Sequence, residues 1–525
     1  MPEMHFLVRW PDGHEQRCYS PSLVVRDHLE VGRNYEVAGF VERSRTLLTI
    51  ASERVRAKYG SYCSAALDQL TAIEALATRY DAGAPVAVLG FELPRSRRSV
   101  AVIGGGQAGL AMSYCLKERG IDHFVFEKNR IAHEWRERRW DSFCLVTPNW
   151  QCQLPGFAYA GPEPKGFMGR DAIVGYLEAY ARSFEAPVRE GVTATGLRRR
   201  ANGGFEITAL PFEGAPVTYE ADEVVVATGG YHTTAFPPFA ARLPESIVQL
   251  HSSAYRNPQA LPPGEVLVVG TGQSGCQIAE DLHIAGRRVH LAVGSAPRTA
   301  RRYRGRDVVE WLDEMGYYRM PVDDHPLKER VRAKANHYVT GRDGGRDIDL
   351  RQRAREGMRL HGRLVDVRDG HLELADDLKA NLDQADAVAA SIKASIDKFI
   401  AERGIAAPAE APYLPVWEPD GAGLRRVPLA SSEITSVVWC TGFRTDYRWI
   451  ELPVFDGRGY PVHRRGLTTV DGIYFVGLPW LYTWGSGRFS GVGADATHIA
   501  ERIERRLGSA LLPPVTQLNE VAFGS

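Results

Sequence analysis

Three glycines at G-x-G-x-x-G spacing, Gly104, Gly106 and Gly109, follow directly on the apolar, β-branched run 100–103. Such a run suits a strand buried on both faces, and the spacing after it suits a tight turn entering a helix. The first glycine makes the turn, the second lets backbone approach a pyrophosphate, and the third lets helix and strand pack closely. Gln107 and Ala108 open that helix, whose amides and dipole favour phosphate. Glu127 ends the next strand, where a ribose hydroxyl needs an acceptor, with Lys128 beside it. Strand, turn, helix, strand and terminal acid in this order predict a dinucleotide site.

The pattern recurs. Strand 265–269 runs into Gly270, Gly272 and Gly275, with Gln273 and Ser274 in the turn and Gly286 closing the helix. The next strand, 288–293, ends without an acid; Arg298, Arg301, Arg302 and Arg304 follow instead. Guanidinium groups suit a 2′-phosphate, which favours NADP(H) over NAD(H). A solvated basic loop is the competing reading. Two such sites predict two nucleotides. The loop 135–151 carries Trp135, Trp140, Thr147, Asn149, Trp150 and Gln151 without a helical or strand period, a common setting for cofactor contacts.

The elements that must position these groups can be taken in order. Residues 1–90 read as a small α+β domain, with a turn at Pro11-Asp12-Gly13 and a returning strand over 16–20. Helical spacing follows over 41–80, broken at Gly60, and Arg95, Arg97 and Arg98 read as a solvated linker. Two further buried strands end in Thr228-Gly229 and Thr441-Gly442. Another ends at Gly477, before a Gly-rich stretch and a helix over 494–505. Leu378, Leu382, Ala385, Ala389, Ile392, Ile396 and Phe399 predict one long amphipathic helix ended by Gly404. Residues 342–349 read as a surface loop. The expected fold is α/β with two Rossmann-like domains. The first takes 98–235 and resumes at 426–525, the second is inserted as 236–330, and 331–425 form a helical insertion.

Lys plus Arg equals Asp plus Glu at 64 each, which points to neither nucleic acid nor a membrane as partner. No apolar run reaches a membrane span and no export signal opens the chain, so a cytoplasmic location is expected. The seven cysteines are scattered without a C-x-x-C pair, which argues against a disulfide framework and a zinc knuckle. No metal site is expected. Cys144 and Cys152 form the one close pair, too irregular in spacing for the redox couple of a disulfide reductase.

The two glycine turns, Ala227-Thr228-Gly229, Thr441-Gly442 and the segment 477–496 together resemble the flavin-containing monooxygenase and Baeyer–Villiger group of two-dinucleotide flavoproteins. The resemblance implies FAD at the first site and NADPH at the second. It also implies hydride transfer to the flavin, addition of O₂ at its C4a carbon, and oxygen transfer to a small-molecule substrate. Of the group's fingerprint F-x-G-x-x-x-H-x-x-x-[W/Y], only His251 and Tyr255 fit, with Glu245 and Ile247 at the Phe and Gly places. A linking role for His251 follows from the resemblance; the Baeyer–Villiger subclass does not. Asn149 is similar in setting to an asparagine that contacts the flavin edge, with Trp150 and Gln151 beside it. Segments 8–13, 20–27 and 51–60 resemble the nitrogen-starvation-response proteins. The chain is therefore read as a fusion, and its substrate is expected to contain nitrogen. An FAD- and NADPH-dependent monooxygenase is expected. The alternatives are an NADPH oxidase or dehydrogenase without oxygen insertion, and a redox-sensing regulator. A homodimer is open.

Overall fold

A computed structural model describes residues 4–59, 62–92, 97–420 and 424–510. Gly60, expected to break the first helical stretch, and Arg95 of the linker lie outside the described residues. The chain divides into two compact units, residues 1–97 with 218–220, and residues 98–217 with 221–525.

In the first unit, four antiparallel strands lie in the order Glu15–Ser20, Met4–Arg9, Pro85–Glu92, Asn34–Glu36. Alternating burial along Met4–Arg9 gives the sheet one covered face. Helices Val37–Tyr59 and Ser64–Ala77 accompany the sheet, and Leu47, Leu48, Ala66 and Ile73 share its core with Phe6 and Val8. Trp10 opens the Pro11-Asp12-Gly13 turn and is buried between Phe40 and Tyr80, which stacks on it at 5.4 Å.

The second unit is built on two sheets. The first contains His123–Phe126, Arg97–Ile103, Val217–Val226 and Ile473–Phe475 as neighbours, parallel where their pairs are resolved. Arg97 and Arg98, read as linker, are instead the opening residues of a strand. The second sheet is wholly parallel, in the order Val248–His251, Ile434–Trp439, Glu265–Val269, Val289–Ala292, Arg359–His361. The three inner strands, Ile434–Trp439, Glu265–Val269 and Val289–Ala292, are covered on both faces, which is why they read as largely apolar runs. The sheet also moves the expected domain borders. Ile434–Trp439 stands inside it, between Val248–His251 and Glu265–Val269, not in the first sheet, and Arg359–His361 at its edge. The expected helical insertion is mixed, since Leu364–Arg368 pairs with His371–Leu374, which pairs in turn with Arg426–Pro428. Its long helix, Leu378–Arg403, ends on left-handed Gly404. Leu382 and Ala385 pack into the second nucleotide domain, and Ile396 packs against Trp311 and Tyr303.

Among the described residues no helix is long and apolar enough to cross a membrane, and no group of three His, Cys, Asp or Glu could hold a metal ion.

A buried polar chain links three strands of the second sheet. His290 Nε2 lies 2.7 Å from Glu265 Oε2, and its Nδ1 lies 2.9 Å from His361 Nε2. The carboxylate can only accept, so His290 Nε2 carries the proton and Nδ1 accepts from His361. Burial, then repulsion by His290 and Arg359, pushes His361 down to about 4. An unfolded histidine titrates near ~6.5. On acidification from there towards about 4, the unfolded chain therefore takes up a proton that the folded one refuses. Stability falls across that window by roughly 3 kcal/mol at most, and below it both states are protonated. Denaturant midpoints measured at neutral and at mildly acidic pH should show the loss. His361→Gln, which keeps a donor for His290, should remove this histidine's share of the loss and leave that of His463, which burial also lowers to about 4.

Candidate functional site

The two glycine turns are built alike. Gly104 (φ +113°) and Gly270 (φ +101°) occupy the left-handed region. A Cβ there would stand 2.6 Å from the Ala227 carbonyl oxygen and 2.8 Å from that of Cys440. Each turn is thus pressed against the end of the neighbouring strand in its own sheet. A Cβ on Gly109 or Gly275 would overlap the carbonyl of Gly104 or Gly270, so helices Gln107–Lys117 and Gln273–Ile284 lie directly on their turns. Gly106 and Gly272 differ. Each caps its helix, and a Cβ there would meet nothing within 4 Å. The first amides of a helix have no partner inside it, and here they face open space. Both cradles fit a pyrophosphate.

Around the first cradle, Glu127 accepts from the Gly105 amide at 2.7 Å and from the Asn129 amide at 2.9 Å, while burial raises its pKa. It braces the turn and has lone pairs left for a ribose. Lys128 is exposed. Gln107 accepts from Trp135 Nε1 at 3.3 Å and donates to the Gly487 carbonyl at 3.4 Å, tying the helix start to the Gly-rich stretch. Ala108 is buried against Gly477 (φ +80°), where a Cβ would strike it. Thr228 is half-buried, and the Gly229 carbonyl accepts from Tyr447 at 2.9 Å.

The loop after Trp135 is ordered, and two of its residues do other work than expected. Trp140 is buried in the core of the second nucleotide domain, edge-on to Phe143. The Asn149 amide is bonded at both ends: Nδ2 donates to the Glu163 carbonyl at 2.9 Å and Oδ1 accepts from the Met168 amide at 2.7 Å. It pins the turn 163–168. Thr147 and Trp150 are half-buried, with the Trp150 amide on Pro164. Gln151 is 3% exposed, and its Oε1 has no partner among the described residues. A buried acceptor left open is costly unless a ligand supplies the donor.

His251 is a positioning residue. The Ser253 amide donates to its Nδ1 at 3.2 Å, so Nε2 bears the proton and donates to the Gly442 carbonyl at 2.9 Å. Burial lowers its pKa and keeps the ring neutral. Thr441 donates to the Ala235 carbonyl, closing the same crossover.

Three of the four arginines assigned to a 2′-phosphate are engaged elsewhere. Arg298 meets Asp386 of the long helix at 2.5 Å and lies over Tyr413. Arg301, 2% exposed, pairs with Asp307, donates to the Val146 carbonyl at 2.6 Å and covers Phe167. Arg304 is paired with Asp397, and Arg302 alone is exposed. Nor is 342–349 a plain surface loop. Arg342 and Arg346 pair with buried Asp281 and Glu280, and Asp347 accepts from the Arg301 amide. The neighbouring Val339 carbonyl takes Gln273 Nε2, beside half-buried Ser274.

Sequence reading passed over Arg139 and Arg488. Both sit among aromatic rings, Arg139 over Trp135 at 5.1 Å and Arg488 over Trp484 at 3.7 Å. A single cation in an aromatic or Gly-rich stretch is the signal that could have marked each.

With this geometry in place, comparison with known proteins is informative. Residues 5–91 match the profile of the nitrogen starvation-induced protein NitG, and residues 101–340 that of pyridine nucleotide-disulphide oxidoreductases. An uncharacterized CzcO-like oxidoreductase of Geobacillus kaustophilus is 33% identical over 408 residues, 77% of this chain and 97% of the relative. The indole-3-pyruvate monooxygenase YUCCA1 of Oryza sativa subsp. japonica is 31% identical over 193 residues, 37% of this chain and 47% of the relative. A flavin-containing monooxygenase from Stenotrophomonas maltophilia shares the fold, with a TM-score of 0.53 at 19% identity, over 78% of this chain and 99% of that one. The chain therefore belongs to the CzcO-like oxidoreductases, an enzyme with the α/β fold of the flavin monooxygenases preceded in sequence by a NitG domain.

Proposed function

We propose that this oxidoreductase is an FAD- and NADPH-dependent monooxygenase that transfers one oxygen atom of O₂ to a small organic substrate. FAD takes the cradle of Gly106 and NADPH that of Gly272. The observation that carries the reading is the pair of open cradles, together with the unpartnered Oε1 of Gln151 beyond the first. Bound FAD supplies hydride acceptance and oxygen activation.

The chain's own residues bind, orient and shield. Gly106 and the amides after it take the FAD pyrophosphate, Glu127 the ribose, and Gln151 Oε1 a donor on the flavin. Thr147, Trp150 and Thr228 line the same side. Gly272, Gln273 and Ser274 take the NADPH pyrophosphate, and Arg302 the 2′-phosphate. His251 keeps the crossover at Gly442 in register between the two sites. Tyr317, Leu327 and Val331 pack on Trp480 and Trp484, which keeps water from the flavin side. The first nucleotide domain takes its parts from both ends of the second unit, and the second is inserted between them.

Disulfide chemistry is disfavoured. All seven cysteines are free, Cys152 is buried with its thiol pushed up to about 12, and burial also raises Cys144. Neither offers the low-pKa thiolate that such chemistry uses. The rice relative supports oxygen transfer, and the NitG domain supports a nitrogen-containing substrate.

Reduction of the purified holoenzyme by NADPH without air, followed by oxygen, tests the reading. Substrate-dependent NADPH consumption matched by oxygenated product is expected. Stoichiometric H₂O₂ with every amine, ketone and oxo acid tried would replace it with an oxidase. The two cradles should also separate by mutation. Gly106→Ala should keep the thermal midpoint within a few degrees of wild type yet lose bound FAD. Gly272→Ala should retain FAD and raise KM for NADPH by about tenfold or more, equivalent to ~1.4 kcal/mol. Arg302→Gln should raise KM for NADPH about tenfold and leave that for NADH unchanged.

A further inference from the structure

Most buried arginines of the second unit are neutralised. Buried Arg298, Arg301 and Arg351 each meet a carboxylate, while half-buried Arg287 spends its donors on the neutral carbonyls of Pro258, Leu261, Pro262 and Gly264. This is the ordinary condition for a guanidinium withdrawn from water.

Arg139 and Arg488, both half-buried, have a different environment. Among the described residues neither has a carboxylate within 4.0 Å, and Glu134, near Arg139 in sequence, pairs with Arg138 instead. Among the described residues Arg139 makes one hydrogen bond, to the Arg138 carbonyl at 2.8 Å, and it lies 5.1 Å from the Trp135 ring and 5.5 Å from that of Phe143. Arg488 lies 3.7 Å from the Trp484 ring, donates to the Trp484 carbonyl and reaches Asn336 Oδ1 at 2.8 Å. A guanidinium has five donors, so each keeps several free. Desolvation by burial lowers the pKa of both, yet arginine remains charged.

The two cations converge. Trp135, under Arg139, stacks on Phe489 at 5.7 Å, and Phe489 is the neighbour of Arg488 in sequence. The Tyr231 phenol lies within electrostatic reach of both guanidiniums and is itself 57% exposed. Gln107, at the mouth of the first cradle, bonds both Trp135 and the Gly487 carbonyl. Two under-neutralised cations on aromatic walls thus stand beside the first cradle.

We propose that Arg139 and Arg488 form an anion-recognition site that binds the carboxylate of the substrate, with Trp135 and Trp484 flanking its organic part. The substrate class is accordingly a small carboxylic acid with an aromatic or otherwise flat apolar body. This rests on the monooxygenase reading only for the term substrate; the binding claim concerns the protein alone.

The test reads binding, not turnover. FAD-loaded enzyme saturated with NADP⁺ is titrated calorimetrically with benzoate, and with benzamide as its neutral isostere. Benzoate should bind about tenfold tighter or better. Arg488→Gln should abolish the preference, Arg488→Lys should restore part of it, and Arg139→Gln should reduce it. Equal binding of the two probes, absence of heat from both included, overturns the proposal, and that comparison needs no variant to fold. FAD content and the Kd for NADP⁺ are measured in the same variants. Loss of either nucleotide in parallel with benzoate would assign the guanidiniums to a nucleotide phosphate and also overturn it. Failure of oxygen transfer would leave the binding result intact, so the two readings stand or fall separately.

Discussion

Backbone pressed on backbone, at Gly104 against Ala227 and at Gly270 against Cys440, is the constraint on which the second unit depends. The turn after each first strand passes so close to the end of the adjacent strand that no side chain fits between them. That proximity sends the following helix back across its own sheet, with its free amides at the sheet's C-terminal edge. Neighbouring residues reinforce it. Glu127 bonds the turn from the next strand, and Gly477 admits Ala108 where Ile473–Phe475 ends. Two such turns, each in its own sheet, give one unit two outlets for a nucleotide.

Between the outlets the chain is tied by segments far apart in sequence. Arg301 reaches the Val146 carbonyl and covers Phe167, while Gly341 lies against Leu145 and Phe167 with no room for a side chain. Asn149 fixes the turn that carries Phe167 by spending both ends of its amide. The loop after Trp135 is thus bonded into place from both sides. Gln151 Oε1 is a buried acceptor there with no partner among the described residues, beside the bonded amides of Asn149, Trp150 and Cys152.

Charge follows the same logic. The long helix Leu378–Arg403 carries Asp386 and Asp397 on the side that meets the basic run 298–304, and these acids absorb Arg298 and Arg304. The run that reads as a phosphate clamp is therefore largely structural. Unneutralised positive charge is found instead at Arg139 and Arg488, inside aromatic surroundings that weaken hydration without supplying an anion.

Much of the architecture was legible in the amino-acid order, because it rests on local physics. Glycine spacing, buried apolar runs and the three- and four-residue steps from Leu378 to Phe399 each record a backbone geometry that neighbours along the chain impose. Those signals identified both dinucleotide turns, the strands behind them, the long helix and its glycine stop. Partnership was not legible. Whether Arg301 meets a phosphate or Asp307, whether the Asn149 amide faces a flavin or Glu163 and Met168, and whether Ile434–Trp439 joins one sheet or the other are questions of three-dimensional neighbours. A side chain's type states what it can bond. Only the tertiary structure decides what stands within 3 Å of it, since burial makes every donor and acceptor find a partner wherever the fold supplies one.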